Sequence, residues 1–317
     1  MFKKVVVTGA AGFIGSNLVD SLLNQGIEVL GIDNFSTGRM EFLSAALNHP
    51  KFKLLKEDLY FGEDLSNAFV GMDAVFHLAA NADVRFGPDH PTRDLEQNTI
   101  VTHKVLEAVR IAGVKKFIFS STGSVYGEAE AVPTPENAPF PIQTSLYGAS
   151  KLACEGLIAA YAESFGIQVW IFRFVSILGP RYTHGHVYDF YQQLMKDPKR
   201  LTVLGNGHQK KSYLHVSDCI RAINISLEKS LKPVNIVNLG VDGYCEVRDS
   251  VGWITSEMGV NPKIKYGTES KGWIGDNPFI HLDTQKVMNF GWKPKFSIEE
   301  GVRDTVRFLS SNPDLFK

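Results

Sequence analysis

At 317 residues and 44% hydrophobic side chains, the chain can form one large domain, or two intimately joined ones, around a sizeable core. Lys and Arg (33) nearly balance Asp and Glu (34) for a formal net charge of −1. No basic block or acidic tail marks nucleic acid or a membrane surface as a partner. The three cysteines, Cys154, Cys219 and Cys245, are far apart and form no C-x-x-C, which argues against a disulfide framework or a structural zinc site and suits a reducing compartment. Lys3-Lys4 leads into Val5-Val6-Val7, but Thr8-Gly9 interrupts the apolar run too early for a signal peptide. No uncharged apolar stretch approaches the roughly 18 residues of a membrane span. The expected setting is the cytoplasm.

Short β-rich runs at 5–8, 28–33, 53–56, 74–78, 116–120 and 168–174 alternate with helical patterns at 14–24, 65–69, 98–112 and 147–165. That alternation, with apolar strands such as FIFS and VWIF, predicts a parallel sheet covered on both faces. After about residue 176 the pattern changes. A stretch rich in Gly, Pro and His (177–186) precedes a helix at 187–195 and a polar turn at 205–209. Strands follow at 210–216 and 234–239, then a loop at 267–278 and a last amphipathic helix at 297–310. The expected fold is α/β, a doubly wound parallel sheet of Rossmann type with a smaller α/β substrate-binding domain. Residues 1–176 form the first unit and 177–317 mainly the second, with segments around 212–240 returning to the sheet.

Gly9, Gly12 and Gly15 follow the first strand and open a helix. In that context the first glycine permits a tight turn, the second lets backbone approach a pyrophosphate, and the third lets helix and strand pack closely. The helix N-terminus then offers amide N–H groups and its positive dipole end to the phosphates. Asp33 ends the next strand, where a carboxylate accepts from both ribose hydroxyls and repels a 2′-phosphate; NAD is therefore expected over NADP, although Arg39 follows soon after. Asp58-Leu59 closes the third strand, where a side chain can meet the adenine edge, or Asp58 can serve only as a turn former. The small residues of His77-Leu78-Ala79-Ala80 let backbone lie along the cofactor, and His77 reads as structural.

Tyr147-Gly148-Ala149-Ser150-Lys151 places a phenol and an ammonium on one helical face, one turn apart. An ammonium beside a phenol favours the phenolate. Bringing a tyrosine from about 10 to about 7 takes roughly 4 kcal/mol of differential stabilisation. The spacing alone occurs by chance on many solvated helices, so its meaning comes from the cofactor motif upstream.

Taken together, TGAAGFIG, GIDNFSTG, the Asp58-Leu59 pair, HLAA, FSSTGSVYG, YGASK, RFVSILGPR and LGNGHQKKSYLHVSD occur in an order that resembles the extended short-chain dehydrogenase/reductases acting on nucleotide sugars. The resemblance spans nearly the whole chain. It implies that NAD is held by Gly9, Gly12, Phe13, Ile14 and Gly15, and by Asp33, Asn34, Phe35, Ser36, Thr37 and Gly38. It adds Asp58, Leu59, Leu78, Ala79, Ala80, Ala82, Asn98, Ser120 and Val175, with Tyr147 and Lys151 at the nicotinamide end. Within the family, the UDP-galactose 4-epimerase branch implies a catalytic set of Thr122, Tyr147 and Lys151. Tyr147 as phenolate takes the proton from a sugar hydroxyl as hydride leaves that carbon. Thr122 positions the same oxygen, and Lys151 holds the nicotinamide ribose and lowers the pKa of Tyr147. The transient 4-keto sugar turns over before reduction on its other face. Dimerisation through the helices near 98–112 and 147–165 is also implied.

Related dehydratases carry an Asp-Glu pair after the threonine, and related decarboxylases a Glu; here the positions are Gly123 and Ser124. That favours epimerisation of a nucleotide-diphosphate sugar over elimination. A dehydratase, dehydrogenase or reductase on the same substrate class is the enzymatic alternative, with Glu128 or Asp83 as a borrowed acid. A non-catalytic NAD-binding sensor is the alternative of a different class. The substrate side departs from the family. Ser176 stands where an Asn is common, Lys211 where an Arg engages the diphosphate, and Trp273 where a second Arg is found. Lys211 keeps the charge and loses the bidentate fork. Lys271 or Arg181 can compensate, and Trp273 can stack on a base or sugar or merely pack a loop. Ser124, Ser176, Arg181, His186, Lys211, Trp273 and the shared Thr122 are thus the expected substrate contacts. Thr183-His184-Gly185-His186 lacks the partners of a metal site, and none is expected.

Overall fold

In the computed structural model, which describes residues 2–62, 64–81, 84, 87–140, 142–269 and 279–316, the β-rich runs pair in parallel. They are β1 (Lys4–Thr8), β2 (Glu28–Asp33), β3 (Phe52–Lys56), β4 (Ala74–His77), β5 (Lys116–Thr122) and β6 (Gln168–Phe174). Their order is β3-β2-β1-β4-β5-β6, and the chain returns later to add Val234–Leu239 beside β6, making seven strands. Alternation within each strand fills two cores. Val5 and Val7, Ile118, Trp170 and Phe172 face one side, while Val6, Phe117, Phe119, Val169 and Ile171 face the other. The inner strands are therefore apolar on both faces, as a sheet covered twice requires, while the edge strand β3 carries the exposed Lys53. The helix α1 (Phe13–Asn24) covers the first side, joined by α2 (Ser44–Leu47). On the second lie α3 (Ser66–Phe69), α5 (Val101–Ile111) and α6 (Leu146–Phe165).

Strand order reverses between β1 and β4, and a crevice at the carboxyl ends of such strands is where this topology binds ligands. The register sets Thr8 opposite His77 and His77 opposite Phe119, which brings Thr8, Asp33, His77 and Thr122 to one edge. The helical pattern at 98–112 takes a different form from expectation. The short α4 (Pro91–Asp94) widens into a π-helical run at Leu95–Ile100 before α5 begins.

Beyond β6 come β7 (Ser176–Leu178), α7 (His186–Lys196), β8 (Arg200–Val203), β9 (Lys210–Lys211), β10 (Tyr213–His215) and α8 (Val216–Lys229). After the returning strand, now β11, come β12 (Cys245–Glu246), α9 (Val247–Met258), β13 (Lys263–Tyr266), α10 (Gln285–Asn289) and α11 (Ile298–Ser311). The expected single strand at 210–216 is two: β9 pairs antiparallel with β12, and β10 parallel with β7. Ser212 is the switch, because the flanking segments seek partners on different sides. Tyr191, Leu194, Val251, Ile254, Val302, Val306 and Leu309 join the same apolar cluster as Trp170 and Phe172, so this half continues the core of the sheet. No described helix is long and apolar enough to cross a membrane.

One buried ion pair ties these parts together. Arg173 on β6 is 1% exposed, and its Nη2 lies 2.6 Å from Glu155 Oε2 on α6. Ser121 on β5 donates to Glu155 Oε1 (2.5 Å), while Arg173 Nη1 donates to the Tyr126 hydroxyl (2.5 Å) and to the Glu136 carbonyl (3.0 Å). Tyr126 in turn donates to Asn238 on β11 (3.0 Å). Removing one member strands the other charge in the core. Arg173→Met is expected to lower unfolding free energy by about 3–5 kcal/mol in urea titrations. Adding Glu155→Leu should recover part of that loss.

Candidate active site

The turn after β1 is shaped by what a side chain would strike. Gly9 has φ +69°, and a Cβ there would meet the Ala79 amide nitrogen at 2.8 Å. At Gly15 a Cβ would fall 1.9 Å from the Gly9 carbonyl oxygen, so α1 can begin this close to the strand only with glycine. The result is a helix N-terminus open to the cleft, with the Gly12 N-cap making no side-chain cap. This cradle leaves room for a pyrophosphate, and its donors fit one.

Asp33 sits at the end of β2 and is 8% exposed. Its Oδ2 accepts from Ala11 N and its Oδ1 from Phe35 N, both at 2.8 Å. Burial pushes its pKa up and these two amides oppose the rise. Each oxygen keeps a lone pair for a ribose hydroxyl. Phe35 is held at φ +60°, and a Cβ on Gly38 would lie 2.7 Å from Asp33 Oδ1; both residues shape the loop around the carboxylate without lining the cleft. Asn34 donates to Asp58 Oδ2 at 2.8 Å, and Tyr60 N and Phe61 N donate to Asp58 Oδ1. Burial opposes ionisation of Asp58, but these hydrogen bonds and Lys104 outweigh it and hold the group below its usual range.

At the other end, Ser145 caps α6 by accepting from Gly148 N (3.0 Å), which puts Tyr147 in the first helical turn. Thr122, the last residue of β5, caps the turn that follows by accepting from Ser124 N (3.1 Å), and its hydroxyl lies near that of Tyr147. Lys151 lies one turn further along α6, with its Nζ donating to the Ser120 carbonyl at 2.9 Å and 4.6 Å above the Phe119 ring. Threonine, tyrosine and lysine are therefore brought together. Their electrostatics differ from the sequence-based expectation. Burial drives the Tyr147 pKa above its ordinary value, with the nearby Thr122 hydroxyl opposing and Asp94 and Cys154 adding to the rise. Burial also pushes Lys151 down to about 8, against the pull of Cys154, Glu155 and Asp94. In this site desolvation exceeds the help a lysine gives a phenolate.

These elements bound a cleft of about 1320 Å³ running from Asp58 and Ser36 past Tyr147 to Lys211 on β9, more than a single drug-sized ligand needs. Of the expected cofactor contacts, Gly9, Gly12, Phe13, Ile14, Gly15, Asn34, Thr37, Leu59, Leu78, Ala79, Ala80, Ser120 and Val175 line it. Asn98 does not. It is buried, with its Oδ1 accepting from Asn81 N (2.8 Å) and its Nδ2 donating to Ser150 Oγ (2.9 Å). Ala82 and Trp273 lie outside the described residues, as do Asp83 and Lys271.

Ser124, Ser176 and Lys211 line the substrate half. Arg181 does not: its Nη2 pairs with Asp20 on α1 at 2.7 Å, so it braces the loop after β7 against the first helix. His186 reaches the cleft with both ring nitrogens engaged, Nε2 with Ser250 Oγ (2.7 Å) and Nδ1 with the Tyr213 hydroxyl (2.9 Å). Burial and the charge of Lys211 hold it down to about 3, so it serves as a neutral strut rather than as an open hydrogen-bonding group. Asn81, Gln97, Thr144, Tyr182 and Gln209 also line the cleft. Asn81, Thr144 and Tyr182 lie in loops whose sequence carries no periodicity, Gln97 lies on the π-helical run at Leu95–Ile100, and Gln209 lies within the LGNGHQKKSYLHVSD stretch, where Lys211 alone was expected to touch substrate.

A dinucleotide cradle facing a threonine, tyrosine and lysine defines an oxidoreductase-type site, in which a cofactor carries the redox chemistry and the protein supplies geometry and charge. Residues 5–240 match the NAD dependent epimerase/dehydratase family, and the chain belongs to that family. A putative UDP-glucose 4-epimerase of Methanocaldococcus jannaschii is 30% identical, the match covering 97% of this chain and 99% of that one. A solved UDP-galactose 4-epimerase is 36% identical with a TM-score of 0.88, covering 98% of this chain and 99% of its own. The UDP-glucuronic acid 4-epimerase of Bacillus cereus, solved with UDP-glucuronic acid and NAD, is 29% identical with a TM-score of 0.89, covering 97% and 99%.

His77, beneath the site, is fully buried between Thr8 Oγ1 (2.7 Å) and Thr102 Oγ1 (3.1 Å). Burial, and secondarily Lys151, pushes it down to about 3. Between that value and the unfolded value of about 6.5 the unfolded chain holds the extra proton, so stability is full above about 6.5 and falls as pH drops toward 3. Urea midpoints at pH 7 and pH 5 should show this loss. His77→Asn should flatten the slope by up to about 1.4 kcal/mol per pH unit.

Proposed function

We propose that the chain is an NAD-dependent epimerase of a nucleotide-diphosphate sugar, acting at C4 through a transient 4-keto sugar. The observation that carries this reading is the meeting of Thr122, Tyr147 and Lys151 in one cleft, at the end of the strand whose next residues are Gly123 and Ser124. Among the described residues, the carboxylates lining the cleft are Asp33, Glu57 and Asp58 around β2 and β3, and Asp189 on α7. None of them belongs to the turn after Thr122, where elimination would need an acid. The family and the 4-epimerases that resemble the chain support the same reading.

NAD, when bound, supplies the hydride acceptor and a positively charged ring. Asp33 and the glycine turn would hold its adenosine and pyrophosphate, and Lys151 its nicotinamide ribose. Tyr147 takes the proton of the sugar 4-hydroxyl, assisted by the positive end of α6, in whose first turn it sits. Thr122 shares that oxygen and fixes its direction, so that the same tyrosine returns the proton after the sugar has turned over. Lys211, Ser176 and the open N-terminus of α7 would receive the diphosphate. Residues 1–176 thus serve the cofactor and 177–317 mainly the sugar nucleotide.

We further propose a cytoplasmic homodimer built on α5 and α6. Supporting this, Ile111 at the end of α5 and Leu146 and Phe165 at the ends of α6 are 56%, 45% and 44% exposed. Gly156 on the exposed face of α6 has open space where a Cβ would stand, which suits close helix approach. Gly156→Arg is expected to yield a monomer by light scattering; an unchanged mass would exclude this face.

The activity is tested by incubating the protein with UDP-, GDP-, CDP- and dTDP-sugars and resolving products by NMR while following NADH absorbance. A 4-epimer without net NADH is expected; stoichiometric NADH or loss of water would refute the reading. Tyr147→Phe should lose turnover by a factor of about 10² or more while still binding NAD. Near-normal activity in that variant would remove Tyr147 as the base.

A further inference from the structure

The described groups able to place charge against Tyr147 and Lys151 are Cys154 and Glu155 along α6, His77 at the end of β4, and Asp94 on α4. At neutral pH three of these are either held neutral or already paired. Burial keeps the Cys154 thiol protonated, His77 is a neutral imidazole between two threonines, and Glu155 is matched by Arg173. Asp94 is different. It is 1% exposed, its Oδ1 accepts from Asn81 Nδ2 (2.8 Å) and Asn98 Nδ2 (3.3 Å), and its Oδ2 has no hydrogen-bond partner among the described residues. Burial raises its pKa, and Asn81, the Lys151 and Arg93 charges and Asn98 oppose the rise.

The same hydrogen bonds reach the catalytic helix. Asn98 holds the backbone of Asn81, which lines the cleft just after Ala79-Ala80, and donates to Ser150 Oγ; Ser150 donates to the Tyr147 carbonyl at 2.8 Å. The π-helical run at Leu95–Ile100 carries Asn98 to this meeting point. An isolated carboxylate buried here would be an unusual expense if its oxygens served geometry alone, because a neutral amide could accept the same two hydrogen bonds.

We propose that Asp94 is a positioning residue of the site, clamping Asn81 and Asn98 against the catalytic helix while its buried negative charge keeps the proton on Tyr147 until a positive charge is seated in the cleft. The inference rests on Tyr147 being the base. A tyrosine that must both take and return a proton needs high proton affinity in one half of the cycle and low affinity in the other. Asp94 supplies a fixed bias toward the protonated form, and the charge of the bound ring works against it.

Asp94→Asn tests the charge with little change of shape. The amide oxygen can accept from both asparagines, and the NH₂ takes the Oδ2 place, which already lacks a hydrogen-bond partner among the described residues. Tyrosinate absorbance is titrated with NAD bound, subtracting the same titration of Tyr147→Phe. In Asp94→Asn the Tyr147 midpoint should fall by on the order of one pH unit, about tenfold in ionisation constant. A midpoint that stays or rises overturns the proposal. Asp94→Ser, which removes the charge with a smaller side chain, must move the midpoint the same way, and it decides if the asparagine variant does not fold. Failure of both to fold also overturns the proposal, since the side chain would then serve the fold. A lowered midpoint in a protein that epimerises none of the sugars would leave Asp94 in place and remove the proposed activity instead.

Discussion

The contact between Arg173 and Glu155 holds the rest in place. It joins β6 to α6, and its neighbours Ser121, Tyr126 and Asn238 extend it to β5, to the turn after it and to β11. Ser121 is adjacent to Thr122, and Glu155 lies one turn beyond Lys151. The geometry that lets Thr122 meet Tyr147 is thus set by an interaction deep in the core, where two charges satisfy one another and their remaining hydrogen-bonding atoms are largely paired. A loosely packed helix could carry the same tyrosine and lysine without holding them to the strand end.

Burial dominates the electrostatics of the site. Helical spacing places Lys151 beside Tyr147, and from that alone a depressed phenol is the natural expectation. In the folded protein the lysine donates to the Ser120 carbonyl and is itself pushed toward neutrality, while the tyrosine is pushed the other way. Removing water costs both groups their charged forms, and a single neighbouring ammonium does not reverse that. The cleft therefore holds both groups toward their neutral forms.

Local sequence made the cofactor half readable and left much of the other half obscure. Gly9, Gly15 and Asp33 are fixed by contacts within a few residues of chain or with the adjacent strand, so their spacing carries the information. Most of the six early strands are likewise legible because burial on both faces demands apolar runs. Some signals in that half are local: Glu246 and Asp249 form a capping box at the start of the helix that buries Val247, Val251 and Ile254, and Val216, Cys219, Ile220 and Ile223 repeat with helical period. Others could not be read. The engagement of Arg181 with Asp20, the strut made by His186, Tyr213 and Ser250, and the meeting of Asp94 with Asn81 and Asn98 join distant segments through single side chains. No periodicity records such meetings.

The late return of β11 has a consequence for how this chain can be divided. Cutting after residue 176 would leave β6 as an open edge, presenting Val169, Ile171 and the unpaired backbone of a long apolar strand to solvent. Such an edge invites pairing with other chains. It would also strip Tyr126, which accepts from Arg173, of Asn238, a partner supplied by the second half. A cofactor-binding fragment is therefore not a self-sufficient module. The sheet stays unfinished until residues 234–239 have left the ribosome.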